Sequence, residues 1–158
     1  MKDTTKSVEI SNKGGWQSPA LTGEHVVLNE LFSEILESAE KYRKVIAYKH
    51  PLQLINLWIN INGHKDYNIQ HSHSNCAVSG AYYLTSNNSN IVFIHPAAQI
   101  MEYDWSSDVI DNYNEHNSPT WSINPSENEL LLFPSWLNHR VEPNLSEENR
   151  ISISFNLR

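Results

Sequence analysis

Cysteine is almost missing from this 158-residue chain. Cys76 stands alone, so no disulfide can close within the chain, and the composition suits a reducing compartment. Basic charge is also scarce: 11 Lys and Arg face 18 Asp and Glu, for a formal net charge of −7. A binder of nucleic-acid phosphates wants a basic face, so that partner class is disfavoured. No apolar run approaches membrane-spanning length, and mean hydropathy is −0.51. The opening Met1-Lys2-Asp3-Thr4-Thr5-Lys6 has no apolar segment behind it, so no secretory signal is expected. These absences predict a cytoplasmic protein with neither membrane nor nucleic acid as partner. Hydrophobic residues at 39% and charged residues at 18% are ordinary for a folded chain, and the length suits a single domain, 1–158.

Residues 1–24 are polar and punctuated by Gly14-Gly15 and Ser18-Pro19, which predicts a short strand and then a loop. The stretch 25–50 is assigned to a helix and its exit. Val26, Val27, Leu31, Ile35, Leu36 and Ala39 recur at three- and four-residue spacing, with Glu30, Glu34, Glu37 and Lys41 opposite, and Thr22 or Gly23 is a plausible start. From Pro51 to the end the pattern is that of strands. The segment Leu52 to Ile61 is apolar and β-branched with a polar series at Asn56, Asn60 and Asn62, and Asn62-Gly63 signals a turn. Further strands are expected near 69–74, 78–85, 90–95, 120–123, 129–133, 138–142 and 149–157. Many short strands with turn residues between them indicate a sandwich or barrel. The expected class is mainly β with a packed N-terminal helix, a double-stranded β-helix of jelly-roll, cupin-like form. Between 97 and 120 regular patterning fades, giving a long connection that is either a lid or a plain surface loop.

Chemistry concentrates in Asn68-Ile69-Gln70-His71-Ser72-His73. On a strand, two histidines two apart leave from one face, supplying half of a first-row metal site. His139 is the natural third ligand. Eleven residues later Arg150 opens Arg150-Ile151-Ser152-Ile153-Ser154-Phe155-Asn156, whose alternation puts Arg150, Ser152 and Ser154 on one face. A buried arginine there needs an anion, and a carboxylate matches its fork. The small serines suit a pocket lining. Tyr82 and Tyr83 point to opposite faces, so one of them can line that pocket. Asn56, Trp58 and Asn68 are further lining candidates. The remaining histidines, His25, His50, His64, His95 and His116, have no partner at metal spacing.

The His-x-His pair, the distal His139 and an Arg beyond it resemble the 2-oxoglutarate- and Fe(II)-dependent oxygenases, the prolyl 4-hydroxylase-like branch most of all. The blocks Gly14-Gly15-Trp16-Gln17-Ser18, Asn68-x-x-His71-x-His73, Ser79-Gly80-x-Tyr82-Tyr83-Leu84, Leu132-Phe133-Pro134-Ser135-Trp136-Leu137-x-His139 and Arg150-Ile151-Ser152-Ile153-Ser154-Phe155 are similar to those of a small subgroup in marine bacteria and phages. They run through nearly the whole chain. One departure stands out: the general pattern has Asp or Glu where this chain has His73.

The resemblance implies Fe(II) on His71, His73 and His139, with 2-oxoglutarate as cosubstrate and ascorbate as a reductant. Arg150 would take the far carboxylate, aided by Ser152, Asn68, Asn56 and the Tyr82 hydroxyl. Trp16 and Gln17 would border the substrate opening, unless Gly-Gly-Trp-Gln is simply a turn with a tucked tryptophan. Tyr103 and Trp105 of the 97–120 stretch would offer flat contacts at the mouth. The implied reaction is hydroxylation of an unactivated C–H, with peptidyl proline as the target by analogy and a peptide or small molecule as the substrate class. Two other readings stay open. One is a three-His iron dioxygenase that does not use 2-oxoglutarate. The other is a non-catalytic metal- or carbohydrate-binding jelly roll. A homodimer is left open, and a phage-encoded chain would work in its host's cytoplasm.

Overall fold

The structure is a computed structural model that describes residues 6–21, 29–86 and 88–158. Its elements follow in order: β1 (Asn12–Lys13), β2 (Trp16–Gln17), α1 (Asn29–Val45), β3 (Leu54–Asn62), β4 (Tyr67–His71), β5 (Val78–Tyr83), β6 (Ile91–Ile94), α2 (Ala98–Asp104), β7 (Thr120–Ile123), β8 (Leu130–Pro134), β9 (His139–Val141) and β10 (Arg150–Leu157). They form two five-stranded sheets, β2-β3-β10-β5-β8 and β1-β4-β9-β6-β7, with every pairing antiparallel. This is the expected mainly-β jelly roll: from β3 onward the chain passes back and forth between the two sheets, β6 and β7 excepted, which closes the strands around an interior. Among the described residues no helix is long and apolar enough to cross a membrane.

The β10 strand lies at the centre of the first sheet and is read on both sides. Its Ser152 opposes Asn60 and Tyr83, Ser154 opposes Trp58 and Ala81, and Asn156 opposes Asn56 and Ser79. The odd positions Ile151, Ile153, Phe155 and Leu157 therefore point the other way. There Ile153, Phe155 and Leu157 join Leu57 and Val78 under Ile35 and Ala39 of α1 in the larger core cluster. Gly80 is required at this face, because a Cβ would sit 2.3 Å from Phe155 Cζ and 2.7 Å from the Leu131 carbonyl oxygen. A smaller cluster of Ile91, Phe93 and Phe133 fills one end of the space between the sheets.

Several sequence expectations need correction. The helical stripe is Leu31, Phe32, Ile35, Ala39 and Tyr42, while Leu36 is left exposed. Thr22, Gly23, Val26 and Val27 fall outside the described residues. The 97–120 stretch contains a helix, α2, none of whose residues is buried. The β4 strand stops at His71, so His73 lies in the loop beyond it, where its N–H donates to the Ser135 carbonyl at 2.9 Å. The spacing of His139 and Arg150 is also compatible with two neighbouring strands joined by a turn at Pro143-Asn144, but β9 and β10 do not lie side by side. They belong to different sheets, so the chain between His139 and Arg150 crosses the sandwich. Asn144 ties that crossing down, its Nδ2 donating to the carbonyls of Asn62 at 3.0 Å and Glu148 at 2.7 Å.

Candidate metal centre

A cavity of about 380 Å³ opens between the sheets. The even positions of β10, from Arg150 to Asn156, line it from one side, and His71, His139 and Val141 line it from the other. Trp58 and Phe133 supply apolar wall.

His71 ends β4 and His139 begins β9, and the two are paired across the ladder. Regular pairing from Asn68↔Val141 would set residue 70 opposite His139. An extra residue on β4, a bulge, sets His71 there instead. Both Asn68 and His71 can thus face the cavity although three residues apart. The imidazole centroids of His71 and His139 are 4.4 Å apart. His73 reaches in from its loop to 5.1 Å from His71 and 5.2 Å from His139. One ligand atom from each ring can be chosen so that all three lie within 4.8 Å of one another.

Hydrogen bonds assign the ring nitrogens. His71 Nδ1 lies 2.8 Å from the Ile69 carbonyl and His139 Nδ1 lies 2.9 Å from the Leu137 carbonyl. A carbonyl only accepts, so both Nδ1 atoms carry hydrogen and both Nε2 atoms keep a lone pair. His73 Nδ1 lies 2.7 Å from Asn156 Oδ1 and 2.8 Å from Ser79 Oγ. Burial lowers the pKa of all three histidines, that of His139 to about 4. At neutral pH the cluster is three uncharged imidazoles, the form that binds a metal. Phe133 and Phe93 pack against the His139 ring at 4.8 and 6.0 Å, and Trp58 approaches His73 edge-on at 5.7 Å.

Arg150 faces the same cavity and is 3% exposed. Its guanidinium lies over the Tyr83 ring, 5.0 Å from the centroid. Among the described residues its Nε and the buried Tyr83 hydroxyl make no hydrogen bond of good geometry, although the guanidinium and that hydroxyl lie close enough to interact, and no ion pair reaches Arg150. Among the described residues no Asp or Glu lines the cavity. A buried cation without a counter-charge is costly, and an anion in the pocket would relieve that cost. Three neutral imidazoles fit a first-row divalent ion, and the arginine fits the carboxylate of a bound acid.

A family model described as "Putative 2OG-Fe(II) oxygenase" matches residues 56–156, which include all three histidines and Arg150. The chain belongs to the 2OG-Fe(II) oxygenase family. It is therefore a member of an oxidoreductase family whose cofactors are Fe(II) and 2-oxoglutarate. No curated protein matches it by sequence. Among solved structures, this oxygenase is similar to a prolyl-4-hydroxylase of Pseudomonas putida, at TM-score 0.64 and 12% identity over 99% of this chain and 78% of that one. It is also similar to HygX of Streptomyces hygroscopicus, solved with nickel, 2-oxoglutarate and hygromycin B. There the TM-score is 0.65 and the identity 13%, over 99% and 74% of the two chains. A Trichoplax adhaerens prolyl hydroxylase holding a hypoxia inducible factor peptide fragment gives 0.62 and 14% over 97% and 69%. At these identities the likeness speaks for the fold.

The oxygenase brings together most of the residues singled out from sequence. His71, His73, His139, Arg150, Ser152, Asn56, Asn68 and Gln17 all line the one cavity. Others lie elsewhere. Tyr82 is on the helix-covered face, its hydroxyl donating to Asn128 Oδ1 at 2.9 Å. Tyr83 takes the cavity position, because β5 pairs with β10 so that Tyr83 opposes Ser152. Trp16 is buried in β2 but does not line the cavity. Tyr103, 87% exposed, and Trp105, at the end of α2, line neither this cavity nor a second hollow of about 430 Å³ beside Trp121 and Trp136. Sequence reading missed Val8, Ile10 and Ser11, which wall the cavity from the N-terminal segment. It also missed Ser79 and Asn156. The alternation of β10 carries Asn156 onto the Arg150 face, and that signal was available.

Proposed function

We propose that the protein is a 2-oxoglutarate- and Fe(II)-dependent dioxygenase that hydroxylates an unactivated C–H bond, with peptidyl proline as the first substrate class to test. One observation carries the reading. Among the described residues, three neutral imidazoles converge in a cavity that also holds a buried arginine without a counter-charge, and no carboxylate lines it. His71, His73 and His139 would hold the iron. Arg150 would bind the far carboxylate of 2-oxoglutarate, with Tyr83 in place of Tyr82 as the nearby hydroxyl. When bound, iron and 2-oxoglutarate supply oxygen activation coupled to decarboxylation of the oxo acid to succinate. The chain's own part is to fix the imidazoles by their Nδ1 hydrogen bonds, to orient the acid, and to exclude water with Phe93, Phe133 and Trp58. Two similar solved structures are prolyl hydroxylases, one of them with a peptide bound, which supports the substrate class. The hygromycin B bound in HygX makes a small molecule of that kind the next to try.

A second reading has its own support. Histidine at position 73 removes the carboxylate from the ligand set, as in a three-His dioxygenase that does without 2-oxoglutarate. Arg150 would then bind a carboxylate on the substrate. The test is succinate release from the full chain given Fe(II), ascorbate and 2-oxoglutarate, with and without proline-containing peptides. Succinate that rises with a peptide supports the proposal. Oxygen uptake that is indifferent to 2-oxoglutarate would transfer the function to the second reading.

A further inference from the structure

Position 73 is where this chain departs from a two-histidine, one-carboxylate ligand set, and the sheet behind it is built for that departure. Asn56, Asn156 and Ser79 stand directly opposite one another on β3, β10 and β5, in one row across three strands. Asn156 Nδ2 donates to Asn56 Oδ1 at 2.9 Å, which turns the amide oxygen of Asn156 the other way. Ser79 Oγ donates to that oxygen at 2.7 Å, and His73 Nδ1 lies 2.7 Å from it. Ser79 is fully buried, so water does not compete for its hydroxyl.

We infer that Asn156 is a positioning residue that holds His73 in its Nδ1–H tautomer and so makes its Nε2 a ligand atom. This rests on the reading of His71, His73 and His139 as metal ligands. An amide oxygen only accepts, so the ring nitrogen facing it carries the hydrogen and the opposite nitrogen carries the lone pair. With the amide reversed, an N–H would meet Nδ1, the hydrogen would move to Nε2, and His73 could not bind a cation. His71 and His139 take their tautomers from backbone carbonyls, which no substitution removes. Only His73 takes its tautomer from side chains. The same row disfavours a carboxylate at 73, because an aspartate there would set its oxygens against the Asn156 oxygen. Asn56 acts at one remove, by fixing which end of the Asn156 amide faces the imidazole.

The test uses the full chain, metal-free and ¹⁵N-labelled, with histidine tautomers read from long-range ¹H–¹⁵N spectra and Co(II) affinity measured by titration. In the parent protein His73 is expected as Nδ1–H. In Asn156→Leu it should shift toward Nε2–H while His71 and His139 stay Nδ1–H, which also reports that the fold is intact. Co(II) should then bind about 10-fold or more weakly, the usual cost of losing such a support. Asn156→Asp restores an acceptor and should bring back both the tautomer and most of the affinity. If Asn156→Leu does not fold, Asn56→Ala provides the same readout with a smaller shift. An Nε2–H His73 in the parent, or an unchanged tautomer and affinity in Asn156→Leu, overturns the inference. A parent protein with the expected tautomer that takes up no Co(II) would instead overturn the metal reading beneath it.

Discussion

The central sheet has two faces made by the same strands, and they are opposites. Toward α1 it presents Leu57, Val78, Ile153, Phe155 and Leu157, packed and apolar. Toward the cavity it presents Asn60, Ser79, Tyr83, Arg150 and Ser152, equally buried but polar, and three of these keep an unsatisfied atom. Burying apolar area stabilises a fold, whereas burying an unpaired charge or hydroxyl opposes it. The helix-covered face therefore stabilises the fold, and the cavity face carries polar groups that a bound ligand would satisfy. Alternation in β10 divides the two roles at every residue.

If that division is right, substitutions on the two faces should have separable effects. The largest should come from the apolar face. Phe155→Ala is expected to destabilise the protein by about 3–5 kcal/mol in urea unfolding, the usual cost of removing a buried phenylalanine. Metal affinity should be unaffected under conditions where the variant is folded.

On the cavity face the cost should fall on the ligand. Arg150→Lys keeps the charge but loses the fork, and should weaken 2-oxoglutarate by about 1–3 kcal/mol with iron affinity nearly unchanged. Calorimetry of each ligand separately would show this. Loss of both affinities together would mean that the clamp and the metal centre are one structural unit.

The cavity histidines also predict a pH dependence of the metal-free protein. Their folded pKa values lie below the ordinary 6.5, that of His139 at about 4. In that interval the unfolded chain binds protons that the folded chain refuses. Stability should thus be full above about pH 6.5 and fall as pH drops toward 4. Chemical denaturation at several pH values checks the sign, and His139→Phe should flatten the decline.

The finest contrast is between adjacent tyrosines. Tyr83→Phe removes a hydroxyl from the cavity and should weaken 2-oxoglutarate by about 1 kcal/mol, the size of one hydrogen bond. Tyr82→Phe should leave that affinity unchanged, since its hydroxyl is bonded to Asn128 on the other face.

The tyrosine pair also shows what could be read in advance. The alternation of residues 150–157 announced one polar and one apolar face, and both are there. The spacing of His71, His73, His139 and Arg150 announced a shared site, and the four do line one cavity. Sequence could not tell which tyrosine joins them, because that depends on the register of β5 against β10, a long-range pairing. It could not show the bulge that turns His71 inward, since an extra residue is defined only against the partner strand. Nor could it show that β9 and β10 belong to different sheets, because sheet membership is set by long-range pairing. The 97–120 stretch misled for a different reason. Its aromatics suggested a mouth, yet Tyr103 and Trp105 lie on or beside an exposed helix, and the N-terminal segment walls the cavity instead.

The claim that cavity, histidines and arginine form one site for iron and 2-oxoglutarate is tested most directly by an anaerobic titration of the metal-free protein with Fe(II) and 2-oxoglutarate. An iron with open positions that chelates the oxo acid gives a weak visible band at roughly 500 nm. The band is expected only when both are present. In Arg150→Ala it should require far more 2-oxoglutarate, and in His139→Ala it should be absent. No band in the parent protein, or a band of unchanged 2-oxoglutarate dependence in Arg150→Ala, would contradict the account.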